Sequence, residues 1–129
     1  MKIRKMQVIV KPWEKVWEKE RQIARQLERG ERDPHWAQDT LYFTSLEELR
    51  RVLTDRRLEL LRLIHKEQPE SIKALAILTG RDLKNVNADV HLLAHLGFLD
   101  LAEEKAGPQR RGRKPPRVPY AAVSVEIAL

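Results

Sequence analysis

Residues 71–97 read SIKALAILTGRDLKNVNADVHLLAHLG, and the fold turns on how this stretch is punctuated. Ile72, Leu75, Ala76 and Leu78 recur at helical spacing and are expected to face inward. Ser71 stands where a hydroxyl can cap the first turn, and Gly80 closes the helix. Asp82 can cap a second helix, in which Leu83, Val86, Val90, Leu93 and Gly97 track one side. About three or four residues, Gly80 among them, separate the two. So tight a turn between two helices is the signature of a helix-turn-helix.

On the amino-terminal side, LTDRRLELLRLIHKEQ (53–68) places Leu58, Leu60, Leu61, Leu63 and Ile64 on one broad face, with Thr54 or Asp55 placed to cap it. On the other side, GFLDLAE (97–103) offers a short strand through Phe98, Leu99 and Leu101. The terminal YAAVSVEIAL (120–129) alternates with period two: Ala121, Val123, Val125, Ile127 and Leu129 share one face, expected to be half-buried. Between the two lies GPQRRGRKPPR (107–117), rich in glycine and proline. Two strands bracketing such a loop predict a hairpin whose tip is residues 105–117, held at both ends rather than trailing as a tail. Helix, helix-turn-helix, then hairpin is the order of a winged helix-turn-helix, an α+β fold. A strand in TLYFTS (40–45) and a helix through SLEELRRVL (45–53) precede it.

The first 45 residues differ in character. Met6, Val8 and Val10 alternate as a short strand. Pro12 then opens PWEKVWEKERQIARQLERG (12–30), a charge-rich helical pattern with Trp13, Val16, Trp17, Glu20, Ile23, Ala24 and Leu27 on one stripe. ERDPHWAQD (31–39) reads as a linker. The expected division is therefore an N-terminal segment, 1–39, that dimerises or grips a partner, and a winged helix-turn-helix domain, 40–129. The apolar stripe of Trp13, Val16, Trp17, Ile23 and Leu27 is the candidate partner surface.

Charge gives the second signal. The 129 residues carry 25 basic and 19 acidic side chains, net +6, and 42% are hydrophobic. From Lys105 to Arg117 there are six bases (Lys105, Arg110, Arg111, Arg113, Lys114, Arg117) and no acid, so the remaining 116 residues carry 19 of each sign. All excess positive charge falls in one segment, the electrostatic footprint expected of a nucleic-acid partner. No apolar run approaches the roughly 18 residues that span a membrane, and no membrane partner is expected. Cysteine is absent, which excludes disulfides and thiolate metal sites and fits a cytoplasmic location.

Side chains near the start of the second helix point away from its core positions: Lys84, Asn85, Asn87, Ala88 and His91, with Arg81 in the turn. Asparagine pairs bidentately with adenine, lysine and arginine with guanine or phosphate, and Ala88 can meet a thymine methyl. The loop bases Arg110, Arg111, Arg113 and Lys114 are expected on the phosphate backbone. Their RRGRKPP context also resembles the arginine hooks that enter narrow minor grooves. His91 and His95, four apart, have the spacing of two metal ligands, but no third ligand accompanies them, and no metal or cofactor is expected. Nucleophile elbows, phosphate loops and zincin motifs are missing, so an enzyme is not expected.

The blocks VLTDRRLELL (52–61), LTGRDLKNVNADV (78–90), LLAHLGF (92–98) and VPYAAVSVEI (118–127) resemble the transcriptional regulators of the HVO_A0114 type, with the likeness running over about residues 43–129. That resemblance implies a MarR-like winged helix whose third helix enters the major groove through Lys84, Asn85, Asn87 and His91. It also implies an antitoxin that represses its own operon and pairs with a small toxin encoded nearby. Ala88 departs from the basic residue common at its position. The expected function is a sequence-specific repressor of double-stranded DNA, a homodimer with half-sites about 34 Å apart. A protein-interaction module that neutralises a toxin, with DNA binding secondary, and RNA binding are the alternatives.

Overall fold

The computed structural model describes residues 4–12, 40–101 and 115–129. Elements follow in the order β1 (Lys5–Val10), β2 (Thr40–Phe43), α1 (Leu46–Val52), α2 (Asp55–Glu67), α3 (Ile72–Thr79), α4 (Leu83–His95), β3 (Asp100–Leu101), β4 (Pro116–Arg117) and β5 (Ala122–Ile127). The chain is α+β, and by its contacts it divides into two compact units. One contains residues 53–101 and 115–121 with Arg4; the other contains 5–12, 40–52 and 122–129. No helix among the described residues is long and apolar enough to cross a membrane.

The first unit is built on α2, α3 and α4, and local chemistry sets their ends. Thr54 caps α2 by accepting the Arg57 N–H at 3.3 Å, and Ser71 caps α3 by accepting that of Ala74 at 3.0 Å. Helix α2 ends at Gln68 in the left-handed region (φ 47°), where its N–H reaches the Ile64 carbonyl, immediately before Pro69. Gly80 ends α3 the same way at φ 68°, its N–H directed at the carbonyls of Ala76 and Ile77. The turn between α3 and α4 consists of Gly80, Arg81 and Asp82 alone. The expected Asp82 cap is not made: the residue occupies the cap position, but its side chain bonds to no helix N–H.

Leu60, Ile64, Leu75, Val86, Val90 and Leu93 are all fully buried, and Phe98 and Leu99 join them where the chain leaves α4. Two expected core positions are corrected. Leu78 is 51% exposed and Leu83 46%, each beside the turn, where no described element covers its end of the helix. Tyr120 is buried, with the Arg4 guanidinium 5.4 Å above its ring.

The expected pairing of 97–103 with 120–129 does not form. β3 pairs antiparallel with β4, Asp100 opposite Arg117 and Leu101 opposite Pro116. Among the described residues the ladder spans these two pairs, and Pro116 within it has no N–H to donate. The alternating segment 120–129 instead gives β5, which belongs to the second unit.

There β5 lies parallel to β1, Lys5 opposite Ala122 through Val10 opposite Ile127, and β2 lies parallel on the other side, in the order β2-β1-β5. β1 ends in Val8, Ile9 and Val10, all buried, as a central parallel strand with both faces covered requires. It comes from the expected N-terminal segment, yet its partners lie beyond residue 40. On the apolar face of β5, Val123 is partly buried while Val125 is 47% and Ile127 52% exposed, β5 being an edge strand among the described residues.

Helix α1 in this unit starts on a capping box. Ser45 Oγ accepts the Glu48 N–H at 3.1 Å, and the Glu48 carboxylate accepts from the Thr44 hydroxyl at 2.8 Å and the Thr44 N–H at 3.1 Å. Those two bonds, the hydroxyl first, hold the Glu48 carboxyl below its ordinary 4.5.

Candidate nucleic-acid interface

Helix α4 carries the polar residues singled out from the sequence. With Val86, Val90 and Leu93 buried, Lys84, Ala88, His91 and His95 (i, i+4, i+7, i+11) form a straight stripe along the opposite face, and all four are exposed. Asn87 flanks that stripe and Asn85 lies about a quarter-turn round, both exposed. The helix thus presents two primary amides, one ammonium and two imidazoles to solvent, and the small side chain of Ala88 leaves room at the centre. Among the described residues no cluster of three metal-ligating side chains occurs.

Arg81 is placed differently from that row. Its Nη2 donates to Asp89 Oδ2 at 2.8 Å, and its side chain is only 23% exposed. Asp89, 15% exposed, accepts a second guanidinium on its other oxygen, from Arg57 Nε at 3.1 Å. One carboxylate therefore ties the turn and α2 to the middle of α4. Arg81 Nη1 is buried and has no acceptor. The backbone of the same residue is fixed as well, its N–H donating to Ala76 O and Thr79 Oγ1, both at 3.3 Å. Sequence reading passed over Arg57 and Asp89. A signal was there, since Asp89 is the only acid in α4 and sits off the outer stripe, but nothing local names its partners, one of them 32 residues away.

At the α4 start Asp82 and Lys84 add one exposed charge of each sign. The concentrated charge is elsewhere: Lys105, Arg110, Arg111, Arg113 and Lys114 lie outside the described residues, as do Trp13, Val16, Trp17, Ile23 and Leu27. The basic run nonetheless has defined ends, because β3 and β4, which bracket it, are hydrogen-bonded to each other. Its last base, expected in the loop, is Arg117 of β4. Nη1 of that residue donates to the carbonyls of Pro69 and Pro116, each at 2.7 Å, which anchors β4 to the α2–α3 connection.

These features define a class: a small α+β protein in which three helices present one exposed polar helix face, followed by a strand pair that brackets a basic segment. The chain belongs to the HVO_A0114 family, whose model matches residues 52–125. No curated protein and no solved structure matches it.

Proposed function

We propose that this protein is a sequence-specific DNA-binding transcriptional regulator, a homodimeric repressor whose α2–β4 region works as a MarR-like winged helix-turn-helix. In this reading α4 lies in the major groove, and the basic segment between β3 and β4 is the wing on the flanking backbone or minor groove. The observation that carries it is the coincidence of two features on neighbouring elements. The outer face of α4 holds Lys84, Asn85, Asn87 and His91 in the open, and five bases, Lys105, Arg110, Arg111, Arg113 and Lys114, fall in the connection that the β3–β4 ladder closes.

Division of labour follows. With Arg57 and Arg81 engaged by Asp89, α4 reads bases through its exposed side chains, while the wing supplies most of the salt-dependent attraction. Arg81 acts here through its bond to Asp89, setting the angle of α4. An autoregulating antitoxin would further hold a small toxin through the Trp13, Val16, Trp17, Ile23 and Leu27 stripe; co-expression with the adjacent reading frame and a pull-down without DNA tests that part.

The principal test is titration of the full chain with duplex fragments from around its own gene, at several salt concentrations, against a structured RNA at matched salt. If about three wing bases per subunit meet phosphates, replacing Arg110, Arg111 and Arg113 with alanine flattens the slope of log K against log salt by roughly five in a dimer. Replacing Asn85 or Asn87 with alanine costs about 1–3 kcal/mol at particular base pairs and leaves the slope in place. An unchanged slope in the triple variant, or equal affinity for every duplex, refutes the proposal.

A further inference from the structure

Among the described residues the sheet of the second unit ends at β5, and the composition of this edge is unusual. There β5 pairs with β1 alone, and over its six residues, AVSVEI, it has no proline, no lysine and no bulge against β1. Edge strands ordinarily carry such features to prevent pairing with another chain. Cover also runs out across this sheet. Met6, Val8 and Val10 of β1 are buried, whereas Val125 and Ile127, which stand beside Val8 and Val10 in register, are 47% and 52% exposed. An apolar row therefore continues from the covered strand to the uncovered edge.

The backbone supplies the matching half of the argument. The Ala128 N–H donates to the Val10 carbonyl at 2.9 Å. Alternation along the strand then directs the backbone groups of Ser124 and Glu126 to β1 and those of Val123, Val125 and Ile127 to the open side. We propose that a second copy of this chain docks here, β5 antiparallel to β5 about a two-fold axis at Val125, to make one continuous six-stranded sheet. In that register Val125 meets Val125 and Val123 meets Ile127 as hydrogen-bonded pairs, each exchanging two backbone bonds. On the opposite face Glu126 meets Ser124, so the only charge on the strand faces a hydroxyl. Sliding the axis to Glu126 would oppose two carboxylates directly, which charge repulsion disfavours. The pairing thus satisfies the outward N–H and C=O groups, extends the covered apolar row and separates the acids.

This deepens the dimer of the proposed function by naming its surface, and it is read without nucleic acid, so the two can fail separately. Sedimentation of the full chain at 10–100 µM, without DNA, is expected to give twice the 15.1 kDa chain mass. Val125→Lys places two ammonium groups on the axis and is expected to raise the dissociation constant at least about a hundredfold. The chain has no cysteine of its own, so single-cysteine variants report geometry directly. Paired Cα atoms about 5.5 Å apart let Val125→Cys oxidise to a covalent dimer, whereas Ser124→Cys, at about 8 Å from its mate, stays uncrosslinked. A single-chain mass at 100 µM overturns the proposal. So does a dimer that Val125→Lys leaves intact, or one in which the two cysteine variants crosslink alike. Should Val125→Lys lose its circular dichroism, the cysteine pair decides alone.

Discussion

Replacing Asp89 with alanine removes the carboxylate that accepts from two guanidiniums. Arg57 and Arg81 approach it at 3.1 and 2.8 Å, and the three side chains are between 15% and 23% exposed. This is too buried for the small value of a surface ion pair and too wet for the full cost of a buried one. Two charge-assisted hydrogen bonds are lost and two like charges are left facing one another, which together amount to about 3 kcal/mol. The arginine variants are expected to be milder, since Asp89 keeps one partner in each. Arg57→Ala should cost about 1 kcal/mol. Arg81→Ala should cost no more, because it also removes Nη1, a buried nitrogen without an acceptor whose desolvation is unfavourable by roughly 1–2 kcal/mol. Urea unfolding of the full chain, followed by the helical circular dichroism, reads all three. Raising salt should close little of the gap, because partly buried pairs are weakly screened. The reasoning is refuted if Asp89→Ala falls within about 0.5 kcal/mol of the wild type, the spread of ordinary surface substitutions, or costs no more than Arg57→Ala.

Further expectations concern caps and turns. Glu48 has a carboxyl held below 4.5 by Thr44, so its contribution is present above its unfolded value and is lost as pH falls through the folded one; the wild type should lose more stability than Glu48→Gln between about pH 5 and pH 3 in thermal unfolding scans. Gly80→Ala meets no atom within 4 Å, so its cost is that of φ 68° alone, about 1–2 kcal/mol by urea unfolding. Gln68 already sits at φ 47° with a side chain, and Gln68→Gly should gain about 0.5–1 kcal/mol in the same assay; a loss there would mean that the Gln68 side chain contributes more than the backbone strain.

The helices of this protein were legible because their signals are local. Thr54 and Ser71 each cap an N–H three residues ahead, and Gly80 ends α3 by adopting a backbone geometry that glycine enters without strain. Val86, Val90 and Leu93 recur at the helical period, and burial of that face left Lys84, Asn85, Asn87 and His91 outside. Period two likewise identified 122–127 as a strand, but alternation says nothing about the partner. The neighbour in sequence did not take it: β3 pairs with β4, and β1, with Val8, Ile9 and Val10 buried, took β5 from 117 residues along the chain, Lys5 against Ala122. The ion pair of Arg81 was hidden for a related reason. The position of Arg81 in the turn is local, while the carboxylate that draws its head inward exists only once α2 and α4 pack and bring Arg57 to the same aspartate. Caps, turns and helix faces depend on residues within about four positions of one another, so the amino-acid order alone determined them. Strand partners, ion pairs and the open β5 edge depend on groups brought together by packing, and the tertiary structure decided those.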